Sequence, residues 1–320
     1  MLVLSGLALH GPLLYARPPG APVGVQEGSV QDEEALVAAE RAEADLLRRR
    51  GDLVGALSIT DDLLDEDEED ALTLAVRARI RFDRGEIGRA EETALEALSI
   101  AGDTESRAAA GRVLASVLVR LGRATEVIPV LEAVQFKDGK GGEPFLAPDS
   151  DPQDAWMYVT LKDAVGDRAS AERFARTGSG TNPAESDWVG LLAKARCQRR
   201  AGMLANASQS LVQADAAARK ADGVEPDVLV ELAALYFESE REIEAPGKRS
   251  AGNLLREALE IHKTHEDALL VQFALHRFNR RRVSKSPGAI LNEIYAANRD
   301  SIRGLVAGAS ADLDDGKLVS

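Results

Sequence analysis

From Gln31 onward, apolar residues recur among charged ones in stretches of helical length, and glycines break the stretches. The pattern predicts helices over Glu33–Arg50, Ala71–Arg84, Ser106–Leu121, Asp154–Val165, Trp188–Ala201, Asp227–Glu240, His265–Asn279, Gly288–Ala297 and Ser301–Asp312. The first five are followed by Gly51, Gly85, Gly122, Gly166 and Gly202, and a second helix starts after each of these turns. In that second helix a small residue stands five places after the glycine, as Ala56, Ala90, Ala171 and Ala207, with Val127 in the third unit. Ala97 and Ala214 supply a second small residue, and a later unit keeps Ala251, Ala258, Leu259 and Ile261 after the insertion REIEAPGKRS. Small side chains at such intervals mark places where two helices cross closely, because larger ones would hold the axes apart.

Gly51 and Gly85 are 34 residues apart, and the phrases GDLVGA and GEIGRA repeat around them. This is the period of a helix–turn–helix unit that stacks into a solenoid. The spacing of Gly85, Ala90, Ala97 and Leu98 resembles the tetratricopeptide repeat, and the resemblance extends over roughly residues 31–320, most strongly in the second unit. The large aromatic of that family's first helix is mostly absent, since Trp156 and Trp188 fall near helix starts, and no proline follows Ile100 or Ile261. The resemblance implies an all-α chain: a right-handed α-α superhelix of antiparallel helix pairs, with about seven to eight irregular repeats. Insertions are expected near 135–152, 177–187, 241–250 and 280–287. Because Gly316 occupies a turn position with no second helix after it, the array is expected to continue beyond residue 320 in a longer parent protein.

Aromatic residues make up only 4% of the chain against 45% apolar residues in all, so the core must be built of Leu, Ala, Val and Ile. The net charge of −14 argues against nucleic acid, which requires a basic footprint, and against anionic lipid surfaces. Residues 2–16 are apolar and precede the stretch RPPGAPVG, too short a run for a membrane span. Residues 1–30 therefore read as a leader, either a secretory signal remnant with Ala16 at the cleavage point or a segment without structure. The first alternative implies export to a periplasm or cell envelope, and the second leaves a cytoplasmic location open. The single cysteine, Cys197, reads as a small buried helix residue.

Candidate chemistry is sparse. The acidic run DDLLDEDEED fails as a calcium loop, because counting from Asp65 puts Asp70 and Val76 where Gly and Glu are needed. KDGKGG lacks the Lys-Ser/Thr continuation of a phosphate loop. His262, His265 and His276 form no HExxH pattern, so no metal is expected, and the first two are placed in a turn between units. The basic stretch Arg277, Arg280, Arg281, Arg282 and Lys285 reads as a solvated insertion. No nucleophile–base constellation and no cofactor motif is present, so the chain is expected not to be an enzyme.

Aligning units on their turn glycines places Arg79, Arg112, Arg196 and Arg199 on the inner wall of the superhelix, where guanidinium groups suit an acidic peptide. In members of the family that grip a C-terminal carboxylate, Lys and Asn stand at positions that here hold Ala75 and Arg79, so that clamp is not reproduced. The expected function is a non-catalytic scaffold binding a peptide or protein segment in a concave groove. The alternative is the N-terminal helical region of a larger bacterial enzyme, an exported hydrolase or metallopeptidase, with its catalytic domain outside this chain.

Overall fold

A computed structural model describes residues 28–127, 152–239, 250–278, 285–297 and 302–314. Most of the expected leader, Pro129, the greater part of the insertions near 135–152, 241–250 and 280–287, and Gly316 lie outside the described residues. The chain divides into two units, Met1–Ala38 and Ala39–Ser320. Of the first, only the beginning of α1 is described; everything below concerns the second.

The described helices are α1 (Gly28–Arg49), α2 (Leu53–Glu66), α3 (Ala71–Asp83), α4 (Ile87–Ile100), α5 (Thr104–Arg120), α6 (Pro152–Ala164), α7 (Arg168–Ser179), α8 (Trp188–Arg200), α9 (Leu204–Ala221), α10 (Pro226–Glu238), α11 (Ala251–Ile261), α12 (Glu266–Phe278), α13 (Pro287–Ala297) and α14 (Ile302–Asp314). A further helix begins at Ala124 where that described stretch ends. Among the described residues there is no strand. The chain folds as a tetratricopeptide-like solenoid. In α3–α4, α6–α7, α8–α9, α10–α11 and α12–α13, the two helices of a hairpin pack together. The second helix of one hairpin packs on the first helix of the next, and first helices also touch: α3 on α5, α6 on α8, α10 on α12. No described helix is long and apolar enough to cross a membrane.

One local device repeats. Gly51, Gly85, Gly122, Gly166 and Gly202 all lie in the left-handed region, at φ 81°, 77°, 73°, 78° and 76°. At each, the amide after the glycine reaches back five residues to a helix carbonyl, as from Asp52 to Leu47 at 2.9 Å and from Glu86 to Arg81 at 2.9 Å. This pair of backbone features closes a helix whose last carbonyls would otherwise lack partners, and it needs a residue without Cβ. Aspartates then open several of the helices that follow: Asp52 accepts from the Gly55 amide and Asp167 from that of Ser170. Between units Asp70 and Asp103 do the same for α3 and α5. The acidic run before Ala71 thus serves a helix N-terminus.

Ala56, Ala90, Ala171 and Ala207 are fully buried, as the spacing required, and Val127 fills the same place in its unit. The helix crossing between α7 and α8 is tighter still. α7 runs on to Ser179, into the stretch expected to be loop, and brings Gly178 against α8. A Cβ on Gly178 would stand 2.5 Å from Cys197 Sγ and 2.9 Å from Ala155 Cβ. Cys197 is fully buried there, and burial pushes its thiol up to about 12, which makes it inert.

Candidate functional site

The first helices α1, α3 and α5 carry arginines toward their C-terminal ends, and Arg48, Arg49, Arg79 and Arg120 line a cleft of about 450 Å³. Its lining divides by origin. From residues 48–120 come Arg48, Arg49, Arg79, Arg84 and Arg120, with Asp52 and Asp83. From residues 225–267 come Glu225, Asp227, Glu266 and Asp267, with His262 and His265. One wall is therefore predominantly cationic and the other anionic.

Phe82 sits within the basic wall. The Arg79 guanidinium lies 5.3 Å and that of Arg120 5.9 Å from its ring centroid. Arg79 Nε lies 3.5 Å from Asp83 Oδ1 without hydrogen-bond geometry, and Arg84 pairs with Glu86 at 3.0 Å. Leu53 and Val54 extend this wall, and Val54 is 74% exposed.

The two walls are tied together by ion pairs. Arg49 donates to Glu225 and pairs with Asp222 at 3.4 Å, while its guanidinium covers the Trp188 ring at 5.0 Å. The Trp188 indole N–H donates to the same Asp222 carboxylate at 3.3 Å. Arg50 donates to the Asp222 carbonyl at 2.8 Å, and Arg120 to Glu266 at 3.3 Å. In each of these links the arginine belongs to residues 49–120 and the acceptor to residues 222–266. Arg48, held by Asp45 at 2.8 Å and Asp83 at 2.6 Å, stiffens the basic wall from within. Burial raises Glu225 above the usual carboxylate range, and the Arg49 charge only partly offsets this.

Two histidines complete the contact. His262 ends α11, and its ring packs on Gly51 so closely that a Cβ there would lie 2.5 Å from Cδ2. Burial, together with the nearby His265, lowers His262 to about 4. The His262 and His265 rings meet edge to face with centroids 5.1 Å apart. His265 accepts the Ala268 amide on Nδ1 at 3.3 Å, which leaves the ring proton on Nε2, facing Asp227 Oδ1 at 3.0 Å. Burial opposes charging of His265, but the Asp227 hydrogen bond and charge outweigh it and raise the ring's pKa. Asp227 is held low by His265, Arg196 and Arg48 in spite of burial. Both histidines sit in the turn between units, as expected. Among the described residues no group of three or more His, Cys, Asp and Glu is arranged to hold a metal.

Of the four arginines singled out from the sequence, Arg79 lines the cleft. The other three face a carboxylate on the following first helix: Arg112 donates to Asp154 at 2.8 Å, Arg196 to Glu231 at 3.4 Å, and Arg199 forms ion pairs with Glu231 at 3.1 Å, without hydrogen-bond geometry, and with Glu238 at 3.7 Å. The structure does not gather these four at one place. Arg48, Arg49, Arg120 and Phe82 were missed, although the turn glycines contain the signal. Arg48 and Phe82 stand three places before their glycines, as Arg199 does, and Arg49 and Arg120 stand two before theirs.

No protein-family model matches the chain, and no curated protein matches it. Solved structures resemble it at low identity. A tetratricopeptide protein, YrrB, described as having an unusual peptide-binding site, is 17% identical over 66% of this chain and 95% of its own, with a TM-score of 0.31. Cut9 in the APC/C hetero-tetramer Cut9–Hcn1 is 13% identical over 82% of this chain and 46% of its own, with a TM-score of 0.49. The TPR2AB domain of yeast Sti1, solved with an HSP90 peptide, is 12% identical over 78% of this chain and 97% of its own, with a TM-score of 0.30.

Proposed function

We propose that this chain is a non-catalytic scaffold that holds an acidic segment of another protein against the concave wall formed by α1, α3 and α5. The observation that carries the reading is the setting of Phe82. Two guanidinium groups flank its ring, each engaged by a single carboxylate oxygen, beside an exposed Val54. A guanidinium offers five donors, so one contact leaves most of its bonding capacity unspent. Carboxylates spaced along an extended segment match that capacity, and an apolar side chain between them would cover Phe82 and Val54. Arg79, Arg84 and Arg120 are the contacts assigned to the segment. Arg112, Arg196 and Arg199, the other inner-wall candidates, extend the proposed path along the later first helices.

The test is fluorescence anisotropy with two labelled decapeptides, one alternating Glu with Leu and one alternating Lys with Leu. The acidic peptide should bind and the basic one should not. Arg79→Glu should weaken the acidic peptide by about 1–3 kcal/mol, the cost of losing a charge-assisted contact and adding a repulsion. Equal binding by both peptides, or an unchanged affinity in Arg79→Glu, would refute the assignment.

A further inference from the structure

The contacts between the two walls leave the basic wall already engaged. Arg120, one of the contacts assigned to the segment, and Arg49, in the same basic wall, are bonded to Glu266 and Glu225 of the chain itself. Along with Asp222, these carboxylates come from 146 to 176 residues away in sequence. We propose that the acidic wall is a built-in stand-in for the partner: Glu225, Asp222 and Glu266 hold the arginines until a segment with its own carboxylates exchanges for them. This rests on the reading of the cleft as an acidic-segment site and adds how that site is regulated.

Three features support an exchangeable contact in place of a permanent one. First, the ties made by Arg49, Arg50 and Arg120 are ion pairs and hydrogen bonds at the ends of long side chains, separate from the packing of His262 on Gly51. One buried apolar cluster runs from Ala78 to Cys197 and another from Trp188 to Leu275, along the stack of hairpins, so these ties can open without unpacking them. Second, Glu225 pays for its burial, as its raised pKa records, so the closed state stores unfavourable desolvation that opening would release. Third, the bonds offered by the acidic wall and by an acidic peptide are of the same chemical kind. A peptide therefore competes on equal terms per bond, against the high effective concentration of a tethered rival. The acidic wall then sets a threshold: only a segment presenting several carboxylates displaces it, which excludes singly charged ones.

The chain contains its own reporter. Trp188 lies under Arg49 and donates to Asp222, so its indole senses this end of the contact. With Trp156→Phe, Trp188 is the only tryptophan left. In that background the Glu-Leu decapeptide is titrated into the parent chain and into Glu225→Gln/Glu266→Gln, which keeps shape and removes charge. If the apparent affinity scales with the fraction of chain whose arginines are free, the double variant should bind about tenfold tighter. Trp188 emission of the parent should shift to longer wavelength on binding, as the ring loses Arg49 and gains water. Asp222→Asn, a milder change at a half-exposed side chain, should tighten binding in the same direction and serves if the double variant does not fold. Equal affinity in parent and variants, with peptide still bound, would overturn the exchange and leave the binding site standing. Absence of binding in all of them would overturn the site itself.

Discussion

The contact of His262 with Gly51 can be isolated by one substitution made at four places. Gly51, Gly122, Gly166 and Gly202 share a left-handed backbone within a few degrees, so alanine costs each the same conformational strain, on the order of 1 kcal/mol. At Gly122, Gly166 and Gly202 a new Cβ meets nothing within 4 Å. At Gly51 it would lie 2.5 Å from His262 Cδ2, 3.0 Å from Nε2 and 3.1 Å from Cγ, inside the closest approach of carbon atoms. The ring is itself pressed against His265, so it cannot simply rotate away. Overpacking of this kind costs a further ~1–3 kcal/mol.

Gly51→Ala should thus lose about two to four times the stability of its three counterparts. Replacing His262 by alanine as well should remove the excess, because nothing then opposes the new methyl group. Urea denaturation followed by circular dichroism measures all seven chains: the parent, the four glycine variants, His262→Ala and the double variant, whose loss is read against His262→Ala. Hydrogen exchange separates loss of the whole fold from loss of this contact alone, and in the second case amides near Gly51, Asp222 and His265 exchange faster than the helix interiors. Four equal losses, or an excess at Gly51 that survives His262→Ala, would refute the packing of the first turn on the turn before α12.

The remaining predictions concern acid and helix crossing. Since the fold lowers His262 from 6.5 to about 4, this group binds more protons in the unfolded chain across that window, and its contribution to stability falls as the pH is lowered through it. The ring is partly exposed, so the loss is on the order of 2 kcal/mol, below the full conversion of the shift. His265 is raised instead, so its contribution is complete below 6.5 and does not vary across the window. The denaturation midpoint should drop between pH 6.5 and pH 5, and His262→Gln should flatten the profile; an unchanged slope in that variant would assign the effect elsewhere. Gly178→Ala should destabilise by ~1–2 kcal/mol through its clash with Cys197 and Ala155, outweighing the gain in helix propensity. Gly88→Ala in α4, with open space around it, should instead stabilise by a few tenths of a kcal/mol; the same sign at both sites in thermal melts would contradict the close crossing.

The hairpins were legible because each is written within one period. A turn glycine, an aspartate after it and an alanine five places on are local instructions, and Gly51, Asp52 and Ala56 carry them out within six residues. The α7–α8 crossing was less legible because glycine serves two purposes. Gly178 stands twelve places after Gly166, where Ala97 stands after Gly85, so it is a helix-crossing residue, although a run of TGSG reads as loop. The pairs of α8 with α10 and of α5 with α6 lay within reach, since Arg196 and Glu231 are 35 residues apart and Arg112 and Asp154 are 42. The cleft was not. Arg49 meets Glu225 across 176 positions, and no period relates them. Their meeting depends on the accumulated rotation of every hairpin between them, and each rotation is set by the sizes of residues at several crossings. A sequence pattern specifies that small side chains recur; it does not specify the angle each permits. What remained readable was charge: arginines gather before the early turn glycines, and acidic residues gather at the starts of α10 and α12. Such charge groups state what the two walls would do on meeting, and the rotations of the intervening hairpins decide that they meet.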